Sequence, residues 1–244
     1  MEKELEKRFA RFAAFDLDGG HPVLDFTNTV DWRGTAREHD WLGDFSDLLA
    51  WCHRTGFVPD ALLETLGCHA ELHPNQAASA LKMARTLREA IFELLRASIE
   101  GRAPRIQAME LFNRHLRRAM SQITLNPGTA QGEAFSLELA PGANPLEGVL
   151  FRILRQAADL LTSFDPARLK ICGNPGCGWL FLDTTRNASR RWCDMAACGN
   201  RAKARRFYRR KKGEAPPPKE ASSNRSEDMV NDPPIDGAGY RVVK

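Results

Sequence analysis

No stretch of this 244-residue chain approaches the roughly 18 consecutive apolar residues that a membrane span requires. The first fifteen residues mix Glu, Lys, Arg and Phe and lack the apolar core of a secretory signal, so a cytoplasmic protein is expected. The six histidines (His21, His39, His53, His69, His73 and His115) form no HExxH motif. Gly-x-Ser-x-Gly and P-loop patterns are also absent. His21 near Asp18 and Asp25 could in principle do acid/base chemistry, yet a loop histidine bonded to a neighbouring carboxylate is the ordinary case, and the chain is expected not to be an enzyme. One further absence is local: no acidic residue stands between Gly199 and Gly213.

Against these absences stand six cysteines, four of which form two matched pairs. Cys172/Cys177 and Cys193/Cys198 each enclose four residues, and 15 residues separate the pairs. The first pair brackets Gly173-Asn174-Pro175-Gly176, which can turn sharply enough to aim two thiolates at one point. Four thiolates in a closed tetrahedron are what structural zinc requires. Two disulfides or four buried thiols are the alternatives, but disulfides call for an oxidising compartment. One structural Zn2+ held by Cys172, Cys177, Cys193 and Cys198 is therefore expected, while Cys52 and Cys68 read as core residues. Filled by four cysteines, such a site leaves no position for a catalytic water.

The residues after the second pair carry charge of one sign. From Met1 to Asp165 there are 18 Lys+Arg and 23 Asp+Glu, from Pro166 to Gly213 there are 13 and 2, and beyond that 4 and 6. A near-neutral total thus conceals one concentrated positive module. Arg201 to Lys212 contains no Gly, Pro or β-branched residue, which predicts a helix with Asn200 as N-cap and Gly213 as stop. Ala204, Phe207 and Tyr208 share one stripe, predicting that the helix packs by an aromatic edge and offers its guanidinium groups to solvent. Arg190, Arg191, Arg201, Lys203, Arg205, Arg206, Arg209 and Arg210 are the candidate nucleic-acid contacts, because guanidinium suits phosphate and the guanine edge. Duplex DNA is the expected partner. Structured RNA, a ribosomal site or an acidic protein remain alternatives.

Between the pairs, Trp179 to Leu182 reads as a short strand with Arg190 to Trp192 as its return and Thr184 to Ser189 as the turn. Knuckle, hairpin and ligand-bearing helix is the order of a treble-clef-like zinc module. At about 48 residues it is too small to bury a core alone, so loss of one thiolate should unfold it.

Cys193-x4-Cys198-Gly199-Asn200-Arg201, with Trp179-Leu180-Phe181-Leu182-Asp183 upstream and Ala202 to Arg210 downstream, resembles the CGNR zinc finger. The stretch Phe15 to Thr29, Phe-Asp-Leu-Asp-Gly-Gly-His-Pro-Val-Leu-Asp-Phe-Thr-Asn-Thr, resembles the start of the ABATE domain found in stress-induced transcription regulators. Together they would cover about residues 10–213. The resemblance implies bacterial transcription control through DNA binding.

Periodicity in the first 165 residues is helical. Phe45, Leu48, Leu49 and Cys52 predict one helix closed by Gly56. Further helices are predicted from Asp60 to Leu66, Pro74 to Glu100, Arg105 to Ala119 and Pro145 to Ser163. Ser121 to Leu125 and Ala134 to Leu139 alternate, predicting a hairpin around residues 126–132. The fold class is therefore mainly α (α+β): a helical N-terminal domain over 1–165 with a small hairpin, a treble-clef-like finger over 166–213, and a tail over 214–244. Three prolines in a row and many Ser and Asn predict that the tail is disordered. In the N-terminal domain, Asp18, Gly19, Gly20, His21, Asp25, Asn28, Thr29 and Arg33 could line a pocket for a small effector. Alternatively they form a tight turn and a capped helix, with Asp25 and Asn28 bonding backbone amides. A homodimer placing two fingers on a repeated site would suit so small a reader.

Overall fold

The computed structural model describes residues 2–128 and 134–212. In chain order the elements are α1 (Glu2–Ala13), α2 (Pro22–Thr27), β1 (Val30–Asp31), β2 (His39–Asp40), α3 (Phe45–Thr55), α4 (Asp60–Leu72) and α5 (Pro74–Ile99). There follow α6 (Ile106–Ser121), β3 (Ile123–Pro127), β4 (Phe135–Leu139), α7 (Pro145–Ser163), β5 (Leu169–Ile171), β6 (Leu180–Leu182) and α8 (Asn200–Lys211). A π-helical turn, Met195–Gly199, runs directly into α8. The fold is mainly α, and its strands form three separate antiparallel pairs, β1–β2, β3–β4 and β5–β6. The tail at 214–244 and most of the turn expected at 126–132 lie outside the described residues.

Five helices lie where the apolar period places them. α5 buries Ala77, Leu81, Ala84, Leu87, Ile91, Leu94 and Leu95 along one stripe. α7 starts at a capping Asn144, whose side chain accepts from the Leu146 amide at 3.0 Å, and buries Val149, Leu150, Ile153 and Leu154. α3 ends on Gly56 in the left-handed conformation (φ 62°), where glycine bears no Cβ penalty. On α6, Phe112 is buried but Met109 is exposed, and Cys68, expected in the core, is also on the surface.

Helix α1 was not foreshadowed by the apolar pattern. It docks on α3 through charge as well as through the buried Phe12: Asp47, buried at the α3 N-terminus, accepts from the Gly43 amide (2.7 Å) and pairs with Arg8 (2.8 Å) and Arg11 (2.9 Å). Asp44 and Asp47 also close a reciprocal capping box. A half-buried ion pair fixes β1–β2 to α5. Arg88 donates to both Asp40 oxygens (2.7 and 2.8 Å) and to Thr29 Oγ1 (3.0 Å). Burial opposes ionisation of Asp40, but the Arg88 guanidinium outweighs it and holds the carboxyl below its ordinary value.

Residues Met1–Arg205 form one compact unit, and Arg206–Lys244 a second, of which residues 206–212 are described. The first unit has one continuous apolar core. It runs from Phe12, Phe26 and Trp51 through α5 and α7 to Leu169, Trp179, Leu180 and Phe181 beside the paired cysteines. The finger therefore does not stand apart from the helices.

Candidate metal centre and basic helix

The first cysteine pair sits on the turn between β5 and β6. That turn is closed by the Cys172 amide donating to Trp179 O (2.8 Å) and the Cys177 amide donating to Asn174 O (3.0 Å). Gly176 and Gly178 take positive φ (84° and 72°), a conformation that would strain any other residue here. The second pair arrives along the segment after Arg190, joined to the turn by the Gly173 amide donating to Arg191 O (2.8 Å). Asp194 caps the π-helical turn through the Ala197 amide, and that turn carries Cys198 back to the other three sulfurs.

All four Sγ atoms lie within 4.8 Å of one another, and Cys177 and Cys193 are 3.8 Å apart. A tetrahedron with Zn–S bonds of about 2.3 Å has sulfur edges of about 3.8 Å, so the set fits one structural zinc. Four buried sulfurs this close cannot all ionise unaided. Hydrogen bonds from Cys177 and Cys193 pull the Cys172 thiol far down, and those two are pushed up in turn by their contacts with Cys172. A divalent cation removes that conflict. Asn174 Nδ2 donates to Cys198 Sγ (3.1 Å), and Arg205 of α8 donates to Asn174 Oδ1. The metal set is thus tied to the basic helix through one amide, an outer-shell bond of the kind that orients ligands.

The loop between the pairs is organised by Asp183, whose carboxylate is buried. It accepts from Lys170 Nζ (2.6 Å), Thr185 Oγ1 (2.5 Å), the Thr185 amide (2.9 Å) and the Arg190 amide (2.7 Å). Burial pushes against ionisation, but these donors prevail and hold its carboxyl well below the usual range. Residues 190–192 do not form a return strand. β6 pairs instead with β5, in the register Leu169↔Leu182, Lys170↔Phe181, Ile171↔Leu180. Donation of the Arg190 amide to Asp183 explains this, because it turns that segment away from the β6 ladder.

The other edge of β6 would be an unpaired strand edge in a buried place. The N-terminal motif fills it. Asn28, itself buried, donates from Nδ2 to Leu180 O (2.9 Å) and accepts at Oδ1 from the Leu180 amide (2.9 Å), while Gly19 O accepts from the Leu182 amide (2.8 Å). Asp25 holds the Gly19 peptide by accepting its N–H at 2.9 Å. Gly19 has to be glycine, since a Cβ would lie 2.8 Å from both Asp25 Oδ1 and Leu24 Cβ. Phe15 packs on Trp179 with ring centroids 5.8 Å apart.

Residues 20–163 match the ABATE family, described as "Putative stress-induced transcription regulator". The chain belongs to the ABATE family. Residues 168–211 match the CGNR zinc finger, so the metal centre described above is the CGNR site. No curated protein matches the chain. The polar ABATE stretch that could have lined a pocket is arranged as a turn and a capped helix. His21 caps α2, its Nδ1 accepting from the Val23 amide (3.1 Å), and burial pushes its ring pKa down, which suits a neutral acceptor. Asn28 is spent on β6, and Arg33 donates to Thr27 O (2.8 Å) and lies over Phe92 at 4.1 Å. Asp18 lines a cleft of about 160 Å³ beside the CGNR cysteines, where burial, then Asp194 and Asp16, raise its pKa to about 6.

Burial likewise raises Asp25 to about 6, against the pull of the Gly19 amide. A carboxyl whose folded pKa exceeds its unfolded value stabilises the fold below the unfolded value, near 3.8, and that contribution is lost as pH rises through about 6. Asp25→Asn keeps an acceptor for Gly19 without the buried charge. It should be more stable than wild type by roughly 1–3 kcal/mol at pH 8, with the difference vanishing below about pH 4, as read by urea melts at both values.

Among the CGNR basic residues, Arg190 is not a free phosphate ligand. Its guanidinium donates to Trp192 O (3.0 Å), Asp18 O (3.2 Å) and Cys193 O, and lies 4.6 Å from the Phe181 ring centre. The sequence hides this, because an arginine buried by carbonyls reads like an exposed one. Arg201 lies over Trp32 at 5.6 Å, and Arg205 is engaged by Asn174. Arg191, Lys203, Arg206, Arg209 and Arg210 are exposed. Helix α8 buries no residue, and Phe207 and Tyr208 are 64% and 63% exposed, so the expected packed aromatic edge is not formed. Two adjacent rings amid seven basic residues give too narrow an apolar stripe to dock.

Proposed function

We propose that this protein is a cytoplasmic transcription regulator that binds duplex DNA through the CGNR finger, with the ABATE domain as the regulatory partner that takes a small effector. The observation that carries this is α8: seven Lys and Arg, no acid, and no buried side chain, on a helix braced to a metal centre. In this reading Arg191, Lys203, Arg206, Arg209 and Arg210 meet phosphates or base edges, while Arg190, Arg201 and Arg205 hold the helix in place. A second chain on a repeated site would double the length of sequence read.

Counterion release predicts a log–log salt slope of about −0.9 per phosphate contacted. Arg209→Ala with Arg210→Ala should therefore flatten the slope by about 2 in fluorescence anisotropy on duplex DNA, with zinc content unchanged. A slope unaltered by those changes, or flat in wild type, counts against the proposal. The exposure of Phe207 and Tyr208 favours one rival, because free rings among arginines can stack on unpaired bases. Competition between duplex DNA, single strands and structured RNA at matched salt separates the two, and Phe207→Ala should weaken the single-strand complex alone.

A further inference from the structure

The strand pair β3–β4 has one polar and one apolar face. Thr124 and Asn126 oppose Glu138 and Ser136, whereas Ile123, Leu125 and Pro127 oppose Leu139, Leu137 and Phe135. The apolar face is laid against α7 at Gly148, where an added Cβ would stand 2.5 Å from Leu139 Cδ1. Beside that contact, α4, β4 and α7 enclose a cavity of about 290 Å³. Val58, Leu66 and Val149, all buried, form part of its lining, and Leu62 (36% exposed) and Leu137 (50%) are its accessible walls. An apolar recess of this size, near the lower end for small-molecule sites, has affinity for a compact apolar body.

Its charge is positive. Arg152 and Arg155 line it from adjacent turns of α7. Arg155 makes an exposed pair with Asp159 at 3.7 Å, a contact worth little. Arg152 has no ion pair or hydrogen bond among the described residues. Glu138 also lines the recess, with its carboxylate held by Ser136 Oγ (2.8 Å) and Asn126 Nδ2 (3.2 Å), so two guanidinium groups stand against one carboxylate and the balance stays positive. Apolar walls with an arginine pair at the edge match an anion on an apolar body, and guanidinium binds carboxylate in a fork.

We propose that the groove between α4, β4 and α7 is the effector site of the ABATE domain, and that it takes a small carboxylic acid with an aromatic or short aliphatic body. The proposal rests on the reading that this domain senses a small molecule and moves the site away from the Asp18 to Arg33 stretch. Binding is measured on the full-length zinc-loaded protein without DNA, so that its failure leaves the DNA-binding reading standing. In calorimetry and thermal shift, phenylpropionate and octanoate bind and raise the melting temperature. Phenylpropanol binds at least about tenfold more weakly, as expected for losing one charged contact, and phenylpropylamine does not bind. Arg152→Glu with Arg155→Glu abolishes the shift, whereas Arg152→Lys retains part of it. These positions are exposed, so circular dichroism and zinc content should match wild type. Failure of both acids to bind, equal binding by the alcohol, or unchanged binding by the charge-reversed protein overturns the proposal. DNA titrated with and without saturating acid then reports whether the two sites are coupled.

Discussion

Asn28→Ala should lower the melting temperature by roughly 5–15 °C. Asn28 serves both polar groups of one Leu180 peptide position in a buried place, so removing its amide leaves a donor and an acceptor unsatisfied together. Each such group costs about 1–3 kcal/mol, and for a chain of this size a kcal/mol corresponds to about 2–4 °C. Water is a poor rescuer here, because the residues on either side are buried among Phe15, Trp179 and Phe181. Asn28→Asp should be no better: it keeps the acceptor for the Leu180 amide but sets a carboxylate against Leu180 O. His21→Ala supplies the contrast from the same stretch, since it removes one partly exposed helix cap and should cost only about 1 kcal/mol. A melting temperature for Asn28→Ala within a degree of wild type would mean that the clamp contributes nothing.

That clamp also explains which parts of the molecule could be seen in the sequence. Ligand chemistry fixes cysteine spacing locally, so the metal set was legible from Cys172, Cys177, Cys193 and Cys198 alone. Helices α3, α5 and α7 announce themselves because one buried face imposes a 3.6-residue period on many positions. The role of Asn28 does not, because its partner lies 152 residues away and one amide carries no periodic signal. Helix α1 was hidden for a related reason: its dock on α3 uses Arg8 and Arg11 on Asp47 as much as apolar contact. Strand β5 is only three residues long with Lys170 at its centre, too short to show alternation, so β6 could not be given its true neighbour.

Chelating the zinc should release one ion per chain and unfold the finger only in part. A 48-residue module standing alone would collapse, but here Leu180 and Phe181 lie in the common core, and the outer edge of β6 is bonded to Asn28 and Gly19. The second cysteine pair is tied to the ABATE domain through the Arg190 side chain, which donates to both Cys193 O and Asp18 O. Cys198 sits on a short π-helical turn capped by Asp194, which directly follows Cys193, and the start of α8 is tied to the body by Arg201 over Trp32 and by Arg205 on Asn174. Without the ion the four thiols must reprotonate, and Asn174 loses its thiolate partner. Hydrogen exchange should therefore show the Ala197 and Gly199 amides losing protection while the Leu180 and Leu182 amides keep theirs. Far-UV circular dichroism should retain the signal of α3 to α7. If the proposed function holds, DNA affinity should fall to what charge alone provides, because the start of α8 is no longer held by the metal centre. Cys198→Ser should reproduce the pattern. If Leu180 and Leu182 exchange together with Ala197 in the metal-free protein, β6 is held by zinc and not by the ABATE domain, and the two matched regions fold as separate bodies.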